Sequence, residues 1–160
     1  SIKGRPENQP IALLVPSIDV AKKAVRFSSR AARLAEEFWP GPLTLVLPER
    51  APLHPALGKD GRVGVRVPGP SPALDIAVAF AGALTATSAN RSGEPSANRI
   101  EELGPILERG VDIVIPLPAP GGPPSTLLVE DGSEFRVIRE GAIEAARLTA
   151  VLAAIESPGG

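Results

Sequence analysis

Nineteen prolines and sixteen glycines punctuate this 160-residue chain, and the apolar runs between them are short. Proline removes a backbone donor and fixes φ, while glycine leaves the backbone unrestrained, so both tend to end regular elements. Because they are spread between apolar runs, they read as turn markers and not as a disordered tract. Short apolar runs alternating with helical periodicity then imply an α/β layout with a mixed sheet.

The runs can be placed one by one. Ile11 to Val15, bracketed by Pro10 and Pro16, reads as a buried strand. Ser17 to Phe38 reads as helix in two pieces with a break near Phe27-Ser28-Ser29. In the second piece Ala31, Leu34, Ala35 and Phe38 recur at helical spacing, and Pro40-Gly41-Pro42 stops it. Leu43 to Leu47 and Val63 to Val67 read as strands, separated by a polar, Pro-rich excursion from Pro48 to Gly61. Ser71 and Pro72 form a cap and first turn for a helix to about Gly82. That helix is apolar nearly all round, which predicts deep burial. Leu84 to Thr87 reads as a short strand, and Asn98-Arg99-Ile100-Glu101 as a capping box. Val111 to Ile115, Ser125 to Val129 and Phe135 to Ile138 read as further strands, with a loop from Pro118 to Pro124. A last helix puts Leu148, Val151, Leu152 and Ile155 on one face. The expected organisation is one domain over residues 1–156, with 157–160 a flexible end.

Composition narrows the function. A net charge of −1 gives no global electrostatic reason to bind nucleic acid. With no cysteine there is no disulfide framework, thiol nucleophile or Cys-based zinc site. The one histidine, His54, has no partner at triad or ligand spacing and reads as surface. The one tryptophan, Trp39, closes an amphipathic helix and reads as a core anchor. P-loop, GxGxxG and HExxH patterns are all missing. No apolar run reaches the length of a membrane span, and a cytoplasmic location is expected.

The most distinctive stretch is Thr87-Ser88-Ala89-Asn90-Arg91-Ser92-Gly93-Glu94-Pro95-Ser96-Ala97. Small hydroxyls after a strand, with a glycine that admits close backbone approach, suit contact with a polyanion. On residue types alone, a turn followed by an N-cap accounts for them too. Arg66 alternates with Val63, Val65 and Val67 and so projects from the opposite strand face. It is either a solvated cation or a fork for a carboxylate. Lys3 and Arg5 read as a charged tail on their own, and Pro6 biases Arg5 toward an extended conformation.

These stretches, together with Phe38 to Leu47 and Val63 to Pro68, resemble the YrdC/Sua5 family of threonylcarbamoyl-AMP synthases, which serve tRNA modification. The resemblance runs from Lys3 to about Arg139. It implies a twisted, open α/β sheet with a concave cavity. It also implies synthesis of L-threonylcarbamoyladenylate from L-threonine, bicarbonate and ATP, with Mg2+ carried by ATP. The product feeds the t6A modification of tRNA, so tRNA or proteins of the t6A machinery become candidate partners. Matching positions assign ATP contacts to Lys3, Arg5, Ser88, Ser96 and Arg139, and L-threonine contacts to Arg66 and Ser125. Asn90 and Gly93 shape the loop. No protein nucleophile or protein metal ligand is expected.

The chain departs from the family pattern in places. A PTETVYGLG-like segment, which normally precedes the KxR motif, is absent, so the domain is expected to be N-terminally incomplete. Leu14 stands where the family often has His, Arg62 where it has Thr or Ser, and Glu140 where it usually has Pro. Two other readings stand beside this one: a YrdC-like module that binds nucleotide or RNA without turnover, which the missing front segment favours, and a YrdC-like unit of a carbamoyl-transfer enzyme of hydrogenase maturation, whose carbamoyl-adenylate chemistry is related. The second would need acylphosphatase and zinc-finger-like segments nearby, and this Cys-free chain has none.

Overall fold

The computed structural model describes residues 11–90, 97, 99–103, 111–117 and 121–156. Their strands form one seven-stranded sheet in the order β5-β1-β4-β2-β6-β7, with a two-residue strand β3 added beside β4. The strands are β1 (Ala12–Leu14), β2 (Leu43–Pro48), β3 (Gly58–Lys59), β4 (Arg62–Arg66), β5 (Leu84–Ala86), β6 (Thr126–Asp131) and β7 (Glu134–Arg139). Pairings are mixed: β1 with β4 and β2 with β6 are parallel, while β1 with β5, β2 with β4, β3 with β4 and β6 with β7 are antiparallel. The expected α/β class with an open mixed sheet is therefore what the chain adopts.

Alternation along the central strands sorts the two faces. Leu43, Leu45, Leu47, Val63, Val65 and Leu128 are buried in one cluster with Leu34, Ala35 and Phe38. The latter three belong to α2 (Ser29–Phe38), which follows α1 (Ile18–Ala24). Ser17 and Ser28 cap these helices by accepting from the Val20 and Ala31 N–H groups. The break expected near Phe27 is therefore a second N-cap. The last helix, α4 (Ala145–Glu156), buries Leu148 and packs Val151 and Leu152 on the same cluster. Trp39 joins the edge of this core, where its Nε1 donates to the Leu43 carbonyl at 2.7 Å and its ring meets Phe27 edge-on. His54 is exposed, its Nδ1 accepting from the Ala56 N–H.

Two expectations need correction. The helix α3 (Pro72–Phe80) starts where Ser71 and Pro72 placed it, but it is not deeply buried. Ala77 is buried, whereas Ile76, Val78 and Phe80 are 43%, 57% and 64% exposed. The helix rests on β1 near one edge of the sheet, so only a narrow stripe has a neighbour. Val111 to Ile115 forms no strand, and Ile113 is 79% exposed. An apolar run becomes a strand only if another strand supplies hydrogen bonds, and none pairs with it among the described residues. A 3-10 turn, Ile100–Leu103, stands where the capping box was expected, and its Asn98 lies outside the described residues. The loop from Pro118 and the end from Ser157 also fall partly or wholly outside them.

Candidate functional site

The face opposite the core carries Arg66, Gly64, Thr44, Val46 and Leu127, which alternate with core residues, and Arg139, which shares the parity of core-packed Phe135 and Val137 but is brought beside Leu127 by a register shift at Leu127/Leu128. The register aligns them: Val46 faces Gly64, Thr44 faces Leu127, and Leu127 faces Arg139. Long polar side chains on β4 and β7 thus converge over small residues of β2.

Ser125, just before β6, is the hub. Its Oγ lies 2.8 Å from Thr44 Oγ1. Arg139 donates through Nε and Nη2 to the Ser125 carbonyl at 3.3 and 2.9 Å, and through Nη2 to its Oγ at 3.3 Å. Beneath the hub, Thr126 is fully buried. Its Oγ1 donates to the Ile143 carbonyl at 2.6 Å and accepts from the N–H groups of Gly141 and Ile143, both at 3.0 Å. One hydroxyl thereby holds the turn that follows Arg139. Gly141 is required there, since a Cβ would run into the Pro124 carbonyl and the Ser125 backbone.

The Arg66 backbone carbonyl accepts from the Val15 N–H at 3.0 Å, but its guanidinium has no hydrogen bond or ion pair among the described residues. Burial holds its pKa below the ordinary arginine range, and the Arg139 guanidinium nearby adds to the effect. Desolvating a cation beside a second cation is unfavourable. Two guanidiniums within electrostatic reach, Arg66 having no counter-ion among the described residues, suit an anion with paired oxygens.

Of the residues assigned from sequence, the structure gathers Arg66, Ser125 and Arg139. Ser88 and Asn90 follow β5 and lie two strands from β4. There they form a compact turn: Ser88 Oγ donates to Asn90 Oδ1 at 2.6 Å, and the Asn90 N–H donates to the Ser88 carbonyl at 3.1 Å. Lys3, Arg5, Gly93 and Ser96 fall outside the described residues. Thr44 and Thr126 were missed. Alternation against Leu43 and Leu45 would have put Thr44 on the face of Arg66, but its partner is 81 residues away.

Together the open mixed sheet and its two-guanidinium face define an α/β domain with a cationic sheet face. Comparison with known proteins makes the class specific. The family described as "Telomere recombination" (Sua5, YciO and YrdC) matches residues 1–141. The threonylcarbamoyl-AMP synthase of Halorhodospira halophila is 34% identical over 119 residues, which is 72% of this chain and 62% of that protein. The crystal structure of P. abyssi Sua5 complexed with L-threonine superposes with a TM-score of 0.84 at 27% identity, covering 94% of this chain and 45% of that one. E. coli YciO shares the fold with a TM-score of 0.76 at 22% identity, over 89% of this chain and 71% of its own. The chain belongs to the Sua5/YciO/YrdC family. It spans less than two thirds of the Halorhodospira and Pyrococcus proteins.

Proposed function

We propose that this domain carries out threonylcarbamoyl-AMP synthesis from L-threonine, bicarbonate and ATP, in the service of tRNA t6A modification. The observation that carries the reading is Arg66, a partly buried guanidinium without a partner among the described residues, within electrostatic reach of Arg139, which itself bonds Ser125. Arg66 would take the threonine carboxylate through two parallel N–H···O bonds. The Ser125 hydroxyl, held by Thr44, lies beside it to contact the amino acid. Arg139 would face the nucleotide. A P. abyssi relative of the same fold has been crystallised in complex with L-threonine, which supports threonine as a ligand.

In the reaction, the threonine amine adds to CO2 released from bicarbonate and loses a proton, giving a carbamate. A carbamate oxygen then bonds to the α-phosphorus of ATP while the bond to the β-phosphate bridging oxygen breaks, and pyrophosphate leaves. No protein nucleophile takes part, so the chain contributes orientation and fixed positive charge. Lys3, Arg5, Ser88 and Ser96 complete the ATP side of this proposal. Mg2+ would arrive on the triphosphate and neutralise its charge, since it keeps most of its waters and needs few protein ligands. The reading also assigns the chain to the cytoplasm, and no described helix is long and apolar enough to cross a membrane.

The test is pyrophosphate release with all three substrates present, and again with threonine omitted. Threonine-dependent release supports the proposal. Release that ignores threonine, or none at all from a chain that binds ATP, contradicts it.

A further inference from the structure

At the other end of β2 lies a second cationic site that the proposed reaction does not use. Val25 and Glu49 form an isolated antiparallel bridge. The Arg26 N–H donates to the Pro48 carbonyl and the Arg50 N–H to the Ala24 carbonyl, both at 2.9 Å. This short ladder fixes Arg26 and Arg50 as diagonal neighbours on one side, a spacing of about 7–8 Å that long side chains easily bridge. Each guanidinium is also tethered: Arg50 Nη1 donates to the Lys22 carbonyl at 3.0 Å, and Arg26 Nη2 reaches the Arg50 carbonyl at 3.5 Å.

These groups line a hollow of about 550 Å3 with Lys22, Val25 and Phe27. No carboxylate is among its lining residues. Lys22, Arg26 and Arg50 form no ion pair with any described residue. Of the acids around it, Glu49 accepts from the Leu53 N–H, Asp131 pairs with Arg62 at 3.6 Å, and Asp19 stands one turn before Lys22 on α1. Glu130 and Arg62 line a smaller adjoining hollow that also touches Arg26. From Thr44 to Arg50 the chain runs about 20 Å at strand rise, so this hollow is separate from the Arg66 site.

We infer that the hollow binds a small phosphomonoester with an apolar or ring-bearing body. Three cations without a carboxylate suit a dianionic phosphate, and Arg offers it paired donors. The volume falls in the range of ligand pockets and exceeds what one inorganic ion fills. Val25 and Phe27 supply the apolar wall, and Trp39 braces Phe27 at a centroid distance of 6.0 Å.

Phenyl phosphate, inorganic phosphate and chloride at matched ionic strength are the probes, followed by NMR shifts of the Arg26, Phe27 and Arg50 amides. Phenyl phosphate should give saturable shifts and bind at least about threefold tighter than inorganic phosphate. The double substitution R26Q/R50Q should weaken it by about tenfold or more while thermal unfolding stays unchanged. Equal shifts with chloride, non-saturating shifts, or full binding by the folded double variant would overturn the inference. So would tighter binding of a short oligonucleotide than of phenyl phosphate, which would mark a nucleic-acid surface instead.

Discussion

Replacing Thr126 by Val tests how the site is held together. Valine keeps the shape and methyl content of threonine but removes the hydroxyl. Three hydrogen bonds disappear, leaving the Gly141 and Ile143 N–H groups and the Ile143 carbonyl without their present partner. Each lost bond is worth about 1 kcal/mol net, and a buried group left unpaired costs about 1–3 kcal/mol. Some relaxation of the turn recovers part of this, so the expected loss is roughly 3–5 kcal/mol against a total stability of about 5–15 kcal/mol. For a domain of this size that is a fall in Tm of about 10 °C. Urea titration monitored by far-UV circular dichroism measures it, with T126S as the control. Serine keeps the hydroxyl and loses one methyl, costing about 1 kcal/mol. A T126V variant within about 1 kcal/mol of wild type, or a T126S variant as damaged as T126V, would refute the reasoning.

Other substitutions probe separate parts of the account. Gly141→Ala should lose at least about 2 kcal/mol by chemical denaturation and raise the threonine KM, because its Cβ collides with backbone beside Ser125. Arg66→Met should leave stability unchanged or raise it by about 1 kcal/mol, since it removes a partly desolvated cation that has no counter-ion among the described residues, yet abolish any threonine-induced thermal shift. The lowered pKa of Arg66 means that its burial penalty is present at neutral pH and is relieved only as pH rises through the folded value toward the unfolded one. An arginine side chain stays protonated through the neutral range, so threonine affinity should show no Arg66 titration between about pH 6 and pH 9, which calorimetry at several pH values can check. Phe80→Ser should change stability by no more than about 0.5 kcal/mol, as its side chain is mostly exposed; a loss of several kcal/mol would restore the buried-helix reading.

Local rules made much of the fold legible. Ser71 announced one helix start, the break near Phe27-Ser28-Ser29 fell where Ser28 caps a second helix, and alternation placed Arg66 off the core face before any partner strand was known. Nearest-neighbour patterns do not carry register, however. The Thr44–Ser125 contact depends on β2 lying parallel to β6, a pairing of segments some eighty residues apart. Helix α3 shows the opposite failure. Its apolar surface signalled burial, but its place by β1 near the sheet edge leaves little to bury it against. The Val111 to Ile115 run failed for the same reason, since hydrophobicity cannot provide a strand with a neighbour. Arg139 and Ser125 drew notice only through family resemblance, because nothing in their local sequence distinguishes them from ordinary surface residues.

A crystal structure grown with L-threonine would show whether Arg66 holds the amino acid. The account expects both carboxylate oxygens to lie about 3 Å from the Arg66 guanidinium, with Ser125 beside the amino acid. Threonine bound elsewhere while Arg66 stays without an anion would contradict it.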